Sequence, residues 1–162
     1  MPNPNTPADL VRAVTVGVGH LVSGGLDDQQ RAVLLDELSG YYGERTDVRH
    51  PFSPLGDTPL RTRRELYDHF AAIPKRAAGE IDFAPSDMTA HQTADPEVVI
   101  AEFSYRGSVA GRPFELPCIF VVRVRDGEIV ESRDYAHHIE NARVFGRLGD
   151  LAAALADQTA HS

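Results

Sequence analysis

Three long strand-like runs follow one another in the second half of the chain, joined by short turn signals. Residues 98–109, 114–125 and 128–136 are rich in β-branched and aromatic side chains, a composition typical of β-strands. The first turn is predicted at residues 110–113, and the second is Asp126-Gly127, a dipeptide that favours a two-residue hairpin. The three runs therefore predict an antiparallel meander and exclude an all-helical fold.

Helical patterns come before this meander. Thr6, Pro7 and Asp9 form a helix start with a hydroxyl N-cap, and the glycines at 24 and 25 end that helix. Asp27 is the expected cap of a second helix closing at residues 39–40, and Thr62 opens a third, which ends before residue 74. A short apolar helix at residues 148–155 closes the chain.

Helices first and a strand meander last predict the α+β class. We expect a curved antiparallel or mixed sheet wrapped around the N-terminal helices, with a cavity between the two that suits a small molecule. The length of 162 residues predicts one domain, over residues 7–162, after a disordered lead-in at residues 1–6.

Composition and charge exclude several classes of protein. The single cysteine excludes an intramolecular disulfide and a cysteine-based zinc site. With 16 basic against 24 acidic residues, nucleic acid is not an expected partner. No apolar run approaches the ~18 residues of a membrane span, and the first residues do not resemble a secretory signal, so we expect a cytoplasmic protein without membrane contact.

Asp134 is the first candidate for acid–base chemistry. If the hairpin at Asp126-Gly127 has no bulge, Arg125 pairs with Glu128 and Ile119 pairs with Asp134. The carboxyl group then lies on an apolar face, an arrangement that raises its pKa. Two alternatives stay open: Asp134 pairs with an arginine on a neighbouring strand, or a β-bulge reverses the faces.

Histidines and aromatic residues supply the other candidates. His50 follows a short strand and is either a general base near neutral pH or a solvated loop residue. His137 and His138 follow the last strand and are candidates to line the mouth of a pocket. Because side chains of adjacent strand residues point in opposite directions, we do not expect these two histidines to bind one metal ion together. Tyr105 shares a face with Phe103 and either lines the cavity or packs in the core.

A glycine pair at residues 17 and 19 resembles part of a dinucleotide-binding fingerprint. It lies inside a helical pattern, lacks the third glycine and follows no strand, so we reject that interpretation and expect no cofactor.

Three stretches carry a resemblance to a known family. They are residues 47–52 (Asp-Val-Arg-His-Pro-Phe), residues 93–99 and the hairpin that runs from Arg125 to Arg133-Asp134-Tyr135. Together with the helix order, they resemble the SnoaL-like polyketide cyclases of the nuclear transport factor 2-like superfamily, over about residues 26–146. The resemblance implies a cone-shaped, cystatin-like α+β barrel with a deep apolar pocket, a homodimer formed through the sheet, and an extra N-terminal helix at residues 7–25.

The resemblance also bears on the site. Arg133-Asp134-Tyr135 resembles the strand that carries a catalytic aspartate in limonene-epoxide hydrolases, and His50 falls where ketosteroid isomerases keep their base. The chain departs from both patterns: Phe103 and Tyr105 stand where the hydrolases place an arginine and a second aspartate, and Phe120 where the isomerases hold a protonated aspartate. The usual chemistry of neither group is therefore implied.

The sequence favours an enzyme that uses no cofactor and no metal. The expected reaction is a cyclisation, isomerisation or dehydration of a small hydrophobic carbonyl compound in secondary metabolism, with His50, Asp134 and Tyr105 as catalytic residues. Candidate substrate-binding residues are Tyr42, Phe52, Phe103, Cys118, Phe120, Ser132, His137 and His138. The alternative is a non-catalytic module on the same fold that binds a small ligand or a protein.

Overall fold

The computed structural model describes residues 6–162, which form five helices and one six-stranded sheet. In chain order the elements are α1 (Pro7–Ser23), α2 (Asp28–Gly40), β1 (Tyr42–Arg49), β2 (Leu60–Thr62), α3 (Arg63–Ala71), β3 (Ile81–Gln92), β4 (Val98–Val109), β5 (Arg112–Arg125), β6 (Glu128–Ala136), α4 (His138–Val144) and α5 (Leu148–Ala160). The predicted α+β class is confirmed. Apart from Thr6, the lead-in predicted for residues 1–6 lies outside the described residues.

The sheet is mixed and open, with strand order β2-β1-β6-β5-β4-β3. All neighbouring pairs are antiparallel except β1 and β6, which run parallel. Helices α1 and α3 pack against the same face of the sheet. Strand β3 and helix α4 were not predicted from the sequence.

Local capping explains where the helices begin. The Thr6 hydroxyl accepts a hydrogen bond from the backbone N–H of Asp9 at 3.1 Å, and Asp27 and Gln30 form a complete capping box at α2. At α3 the Thr62 hydroxyl accepts from the N–H of Glu65, whose carboxylate accepts instead from the N–H of Arg61. The predicted starts are confirmed, with this change in the third cap.

Both turns of the meander are tight two-residue hairpins. Asp126 and Gly127 have φ of 52° and 76°, and Ala110 and Gly111 have φ of 49° and 78°, the left-handed pair that a type I′ turn requires. The Asp126-Gly127 hairpin is therefore confirmed, whereas the first turn is shorter than predicted, because β5 already begins at Arg112.

A β-bulge corrects the predicted register of β5 and β6. Arg125 pairs with Glu128 as expected, but the register shifts between Arg123 and Val124, so that Asp134 pairs with Phe120 and not with Ile119. The predicted neighbours of Asp134 were therefore wrong by one residue on β5. Ile119 is 42% exposed on the outer face of the sheet.

Two buried clusters fill the fold. The larger one joins α1, α2 and α3 to the sheet, and the smaller one is an aromatic group around Phe83, Phe103 and Tyr105. Phe83 and Tyr105 stack with ring centroids 4.5 Å apart. None of the helices in residues 6–162 is long and apolar enough to cross a membrane.

The glycine pair of α1 serves close packing. A Cβ atom at Gly19 would lie 2.9 Å from the carbonyl oxygen of Phe83 on β3, and one at Gly17 would meet the flexible side chain of Leu38. The rejected dinucleotide fingerprint thus has a structural explanation: α1 passes so close to β3 that only hydrogen fits at Gly19.

We expect Gly19→Ala to destabilise the protein. The clash with backbone costs about 1–3 kcal/mol, whereas alanine in a helix gains up to ~1 kcal/mol over glycine. The matched control is Gly149→Ala in α5, where no atom lies within 4 Å of the added Cβ, so only the gain applies. Urea unfolding should give a lower free energy of unfolding for Gly19→Ala than for Gly149→Ala; equal values would contradict this account of the α1–β3 contact.

Candidate active site

A cavity of about 270 Å³ lies between the sheet and helices α1 and α3. Apolar side chains such as Val14, Val18, Leu66 and Phe70 form most of its wall. Its polar side chains are Tyr42, His50, His69, Tyr105, Asp134, His137, His138 and Asn141. Such a combination of apolar walls and a few convergent polar groups is typical of a small-molecule site.

The parallel pairing of β1 and β6 brings His50 and Asp134 together. Val48 pairs with Ser132 and Arg49 with Arg133, so His50 and Asp134 are the next pair along the two chains. Since residues two apart share a face, both side chains follow the buried Val48 and Ser132 onto the inner face. His50 Nε2 lies 3.7 Å from Asp134 Oδ2.

Asp134 is shielded from solvent and from arginine. Its side chain is 15% exposed, and burial raises its pKa to about 7, although the hydrogen bond from the Ser132 hydroxyl and the charge of Arg133 both act to lower it. The Arg133 guanidinium donates to Asp47 at 3.0 Å. Within residues 6–162 no arginine forms an ion pair with Asp134. The alternative in which Asp134 pairs with an arginine on a neighbouring strand is therefore not what the structure shows.

His50 is held neutral by its surroundings. Burial lowers its pKa below the usual value, and the charge of Asp57 opposes that shift. The Asp57 carboxylate also accepts a hydrogen bond from the His50 backbone N–H at 2.8 Å, which fixes the residue after β1. A neutral imidazole beside a carboxyl group that titrates near neutrality forms a pair that exchanges one proton near pH 7.

His69 is a member of the site that the sequence analysis missed. Its ring centroid lies 5.4 Å from that of His50, and burial together with the charge of His50 lowers its pKa to about 4. The sequence contained a signal for its burial, because His69 follows Leu66 by three residues and therefore lies on the buried face of α3.

Two buried phenols face the same space. Tyr42 is 4% exposed and Tyr105 is 7% exposed, and both line the cavity. Burial and the nearby carboxyl of Asp134 raise the pKa of each phenol well above its usual value. Neither hydroxyl hydrogen-bonds to another protein group in residues 6–162, so both are free to donate to a bound molecule.

The remaining candidates fall into two groups. Cys118 and Phe120 line the cavity, and burial raises the pKa of the Cys118 thiol to about 12, so that it behaves as a small apolar group. Ser132 reaches the site only through its hydrogen bond to Asp134. Phe52 and Phe103 do not line the cavity itself but an adjoining groove, which shares Cys118, Ala136, His137 and His138 with it.

The histidines after β6 differ from one another. His137 caps α4, because its Nδ1 accepts a hydrogen bond from the backbone N–H of Glu140 at 3.2 Å. His138 lines the cavity, its Nε2 is buried without a hydrogen-bond partner in the described chain, and burial lowers its pKa. In residues 6–162 no three side chains of metal-binding type come together as a metal site would require.

Comparisons with known proteins agree with this architecture. A family model described as a SnoaL-like domain matches residues 31–132, which include His50 and end two residues before Asp134. The uncharacterised protein YesE of Bacillus subtilis (strain 168) is 32% identical over 108 residues, 65% of this chain and 71% of its own length.

Two solved structures support the fold. A proposed isomerase from Bacillus subtilis superposes with a TM-score of 0.68 at 22% identity, covering 91% of this chain and 97% of its own. A proposed polyketide cyclase from Xanthomonas campestris pv. campestris superposes with a TM-score of 0.61 at 14% identity, covering 88% and 98%.

Proposed function

The chain belongs to the SnoaL-like domain family, and on that premise we propose that it is an enzyme that moves protons without a cofactor. Its substrate in this proposal is a hydrophobic carbonyl compound, and the reaction is a cyclisation, an isomerisation or a dehydration. The proposal includes the setting in secondary metabolism that the family resemblance implies, and the cytoplasmic location expected from the composition of the chain.

The observation that supports this proposal is the His50–Asp134 pair at the polar end of the cavity. The two side chains are 3.7 Å apart. Burial raises the pKa of Asp134 to about 7 and lowers the pKa of His50, so that near neutral pH the pair offers a carboxyl group that titrates and a neutral imidazole that accepts a proton. General acid–base catalysis is most effective when the pKa of the catalytic group lies near the operating pH.

In this mechanism one member of the pair takes a proton from the carbon next to the carbonyl group. The electron pair of the broken C–H bond moves into an enolate, whose oxygen accepts a hydrogen bond from the Tyr105 hydroxyl. The same proton then returns to a different carbon, which gives an isomerisation, or to a leaving hydroxyl, which gives a dehydration. In a cyclisation the enolate carbon attacks a second carbonyl, and the proton passes to the new alkoxide.

Exchange of the abstracted proton with solvent tests the proposal without knowledge of the natural substrate. We expect the protein to catalyse deuterium uptake from D₂O at the α-carbon of 1-tetralone, followed by NMR, faster than buffer alone. The rate should fall at acidic pH, as His50 with its lowered pKa becomes charged, and again above pH 7, as Asp134 loses its proton. Binding of the ketone without exchange would favour the non-catalytic binding module.

We also propose a homodimer formed through the outer face of the sheet. A groove of about 680 Å³ opens there, and Phe52, Ile119 and Ile139 beside it are 67%, 42% and 55% exposed; such apolar patches on a soluble domain mark contact surfaces. Sedimentation equilibrium should give twice the chain mass for the wild type and a monomer for Ile119→Asp. A monomeric wild type would contradict the dimer.

A further inference from the structure

The cavity contains a set of neutral donors and no fixed positive charge. Its lining includes neither lysine nor arginine. The arginines nearby are engaged elsewhere: Arg133 and Arg49 pair with Asp47, and Arg31 donates to the backbone carbonyls of Ala71 and Ile73. A carboxylate or phosphate that entered the cavity would therefore lose its hydration without gaining a counter-charge, which is strongly unfavourable.

Other charges in the molecule add to this exclusion of anions. Asp134 is the acidic side chain among the lining residues, and the chain carries a net charge of −8. Below pH 7 a cation is disfavoured as well, because Asp134, whose pKa burial raises to about 7, is then mostly protonated and offers no counter-charge. Burial lowers the pKa values of His50, His69 and His138, so these three histidines offer neutral rings.

The volume of the cavity limits the size of its occupant. The cavity has a volume of about 270 Å³. Since one water molecule takes up ~30 Å³ in the liquid, this is the volume of roughly nine water molecules. Sites for drug-sized ligands begin at ~300 Å³, so the cavity fits a molecule of one ring or two small rings. A four-ring skeleton would extend beyond the cavity into the adjoining groove of about 680 Å³, which shares Cys118, Ala136, His137 and His138 with the lining of the cavity.

The hydroxyl groups of two tyrosines in the cavity wall favour a ligand that carries a hydrogen-bond-accepting oxygen atom. The phenols of Tyr42 and Tyr105 are more than nine-tenths buried, face the cavity, and donate to no protein group in residues 6–162. Neither hydroxyl oxygen is a fully buried atom without a partner, so both open onto the cavity, where a ligand oxygen that accepts their hydrogen bonds replaces water.

We propose that the cavity selects small uncharged molecules of one or two rings that carry a hydrogen-bond-accepting oxygen. It excludes carboxylates, phosphate esters and, below pH 7, amines. This inference rests on the proposed function, since it takes the cavity as the substrate site, and it narrows the substrate from hydrophobic carbonyl compounds in general to small neutral ones.

Calorimetric binding of a matched probe set tests the inference. The probes are 1-tetralone, its oxygen-free analogue tetralin, the anion 1-naphthoate, the cation of 1-aminotetralin and the four-ring ketone progesterone. At about pH 6 we expect 1-tetralone to bind more tightly than tetralin and progesterone, and at least tenfold more tightly than either charged probe. A charged probe, or progesterone, that binds as tightly as 1-tetralone would overturn the inference.

Conservative variants connect the selectivity to the two phenols. Tyr42→Phe and Tyr105→Phe should each weaken 1-tetralone binding about three- to tenfold, the value of one hydrogen bond, and leave tetralin binding unchanged. Tyr67→Phe is the control, because Tyr67 lies on α3 outside the lining of the cavity. Unchanged 1-tetralone affinity in both cavity variants would contradict the role of the phenols.

The same set of probe molecules distinguishes a failure of this inference from a failure of the proposed function. If 1-tetralone binds with the expected selectivity but exchanges no deuterium, the enzyme proposal fails and the ligand class stands. If exchange occurs equally well with charged or four-ring ketones, the enzyme proposal stands and the ligand class fails.

Discussion

Asp134→Asn should lower the rate of α-deuterium exchange by about 10²–10⁴-fold, the usual contribution of a general acid–base group. The amide has nearly the shape of the carboxyl group but neither takes nor gives a proton near pH 7. It also removes the group whose pKa is about 7, so the fall in rate above pH 7 should disappear from the residual activity while the fall at low pH remains.

The matched control is Asp68→Asn on α3, whose side chain is 56% exposed and pairs with Arg64 at the surface. It should exchange at the wild-type rate. His50→Ala should show the complementary change: the low-pH fall disappears and the fall above pH 7 remains. A wild-type rate in both Asp134→Asn and His50→Ala would remove the pair from the mechanism.

Asp134→Asn should also stabilise the protein, relative to wild type, in alkaline solution. The pKa of Asp134 is about 7 in the folded chain and about 4 in an unfolded one. Between these values the folded state holds a proton that the unfolded state has lost, so the stability contributed by Asp134 is complete below pH 4 and is lost as the pH rises to 7. The loss is about 4 kcal/mol at ~1.4 kcal/mol for each pKa unit.

Urea unfolding of wild type and Asp134→Asn from pH 4 to pH 8 measures this difference. We expect the free energy of unfolding of the variant, relative to wild type, to rise by up to about 4 kcal/mol across that range. His50 contributes with the opposite sign, because its lowered pKa favours the folded state as the pH rises toward 6.5; that contribution is present in both proteins. Parallel pH dependences for the two would show that Asp134 titrates normally.

Much of the fold was predictable because its signals are local. The caps at Thr6, Asp27 and Thr62 and the hairpin at Asp126-Gly127 depend on residues a few positions apart, and all four are present in the structure. The α+β class followed from the order of these local patterns.

The site depends on contacts that a single sequence does not encode locally. The bulge between Arg123 and Val124 changed the neighbour of Asp134 from Ile119 to Phe120. The distance between His50 and Asp134 depends on parallel pairing of strands that are more than 80 residues apart in the chain. His50 and Asp134 were both identified as candidates, but only the packing of β1 on β6 places them side by side.

His69 shows a different kind of omission. It was hidden within a helix whose apolar stripe was read from Leu66, Phe70 and Ile73, although its position on that stripe predicts burial. A titratable residue on the buried face of a helix beside a candidate base therefore belongs among the candidates from the start.

The central claim is that Asp134 and His50 share a proton inside the cavity, and NMR titration of the Asp134 side-chain carboxyl carbon tests it most directly. The account predicts a midpoint near pH 7, accompanied by a matching shift of the His50 ring signals, since the two groups titrate as a pair. A carboxyl carbon that titrates near pH 4, with His50 unaffected, would contradict it.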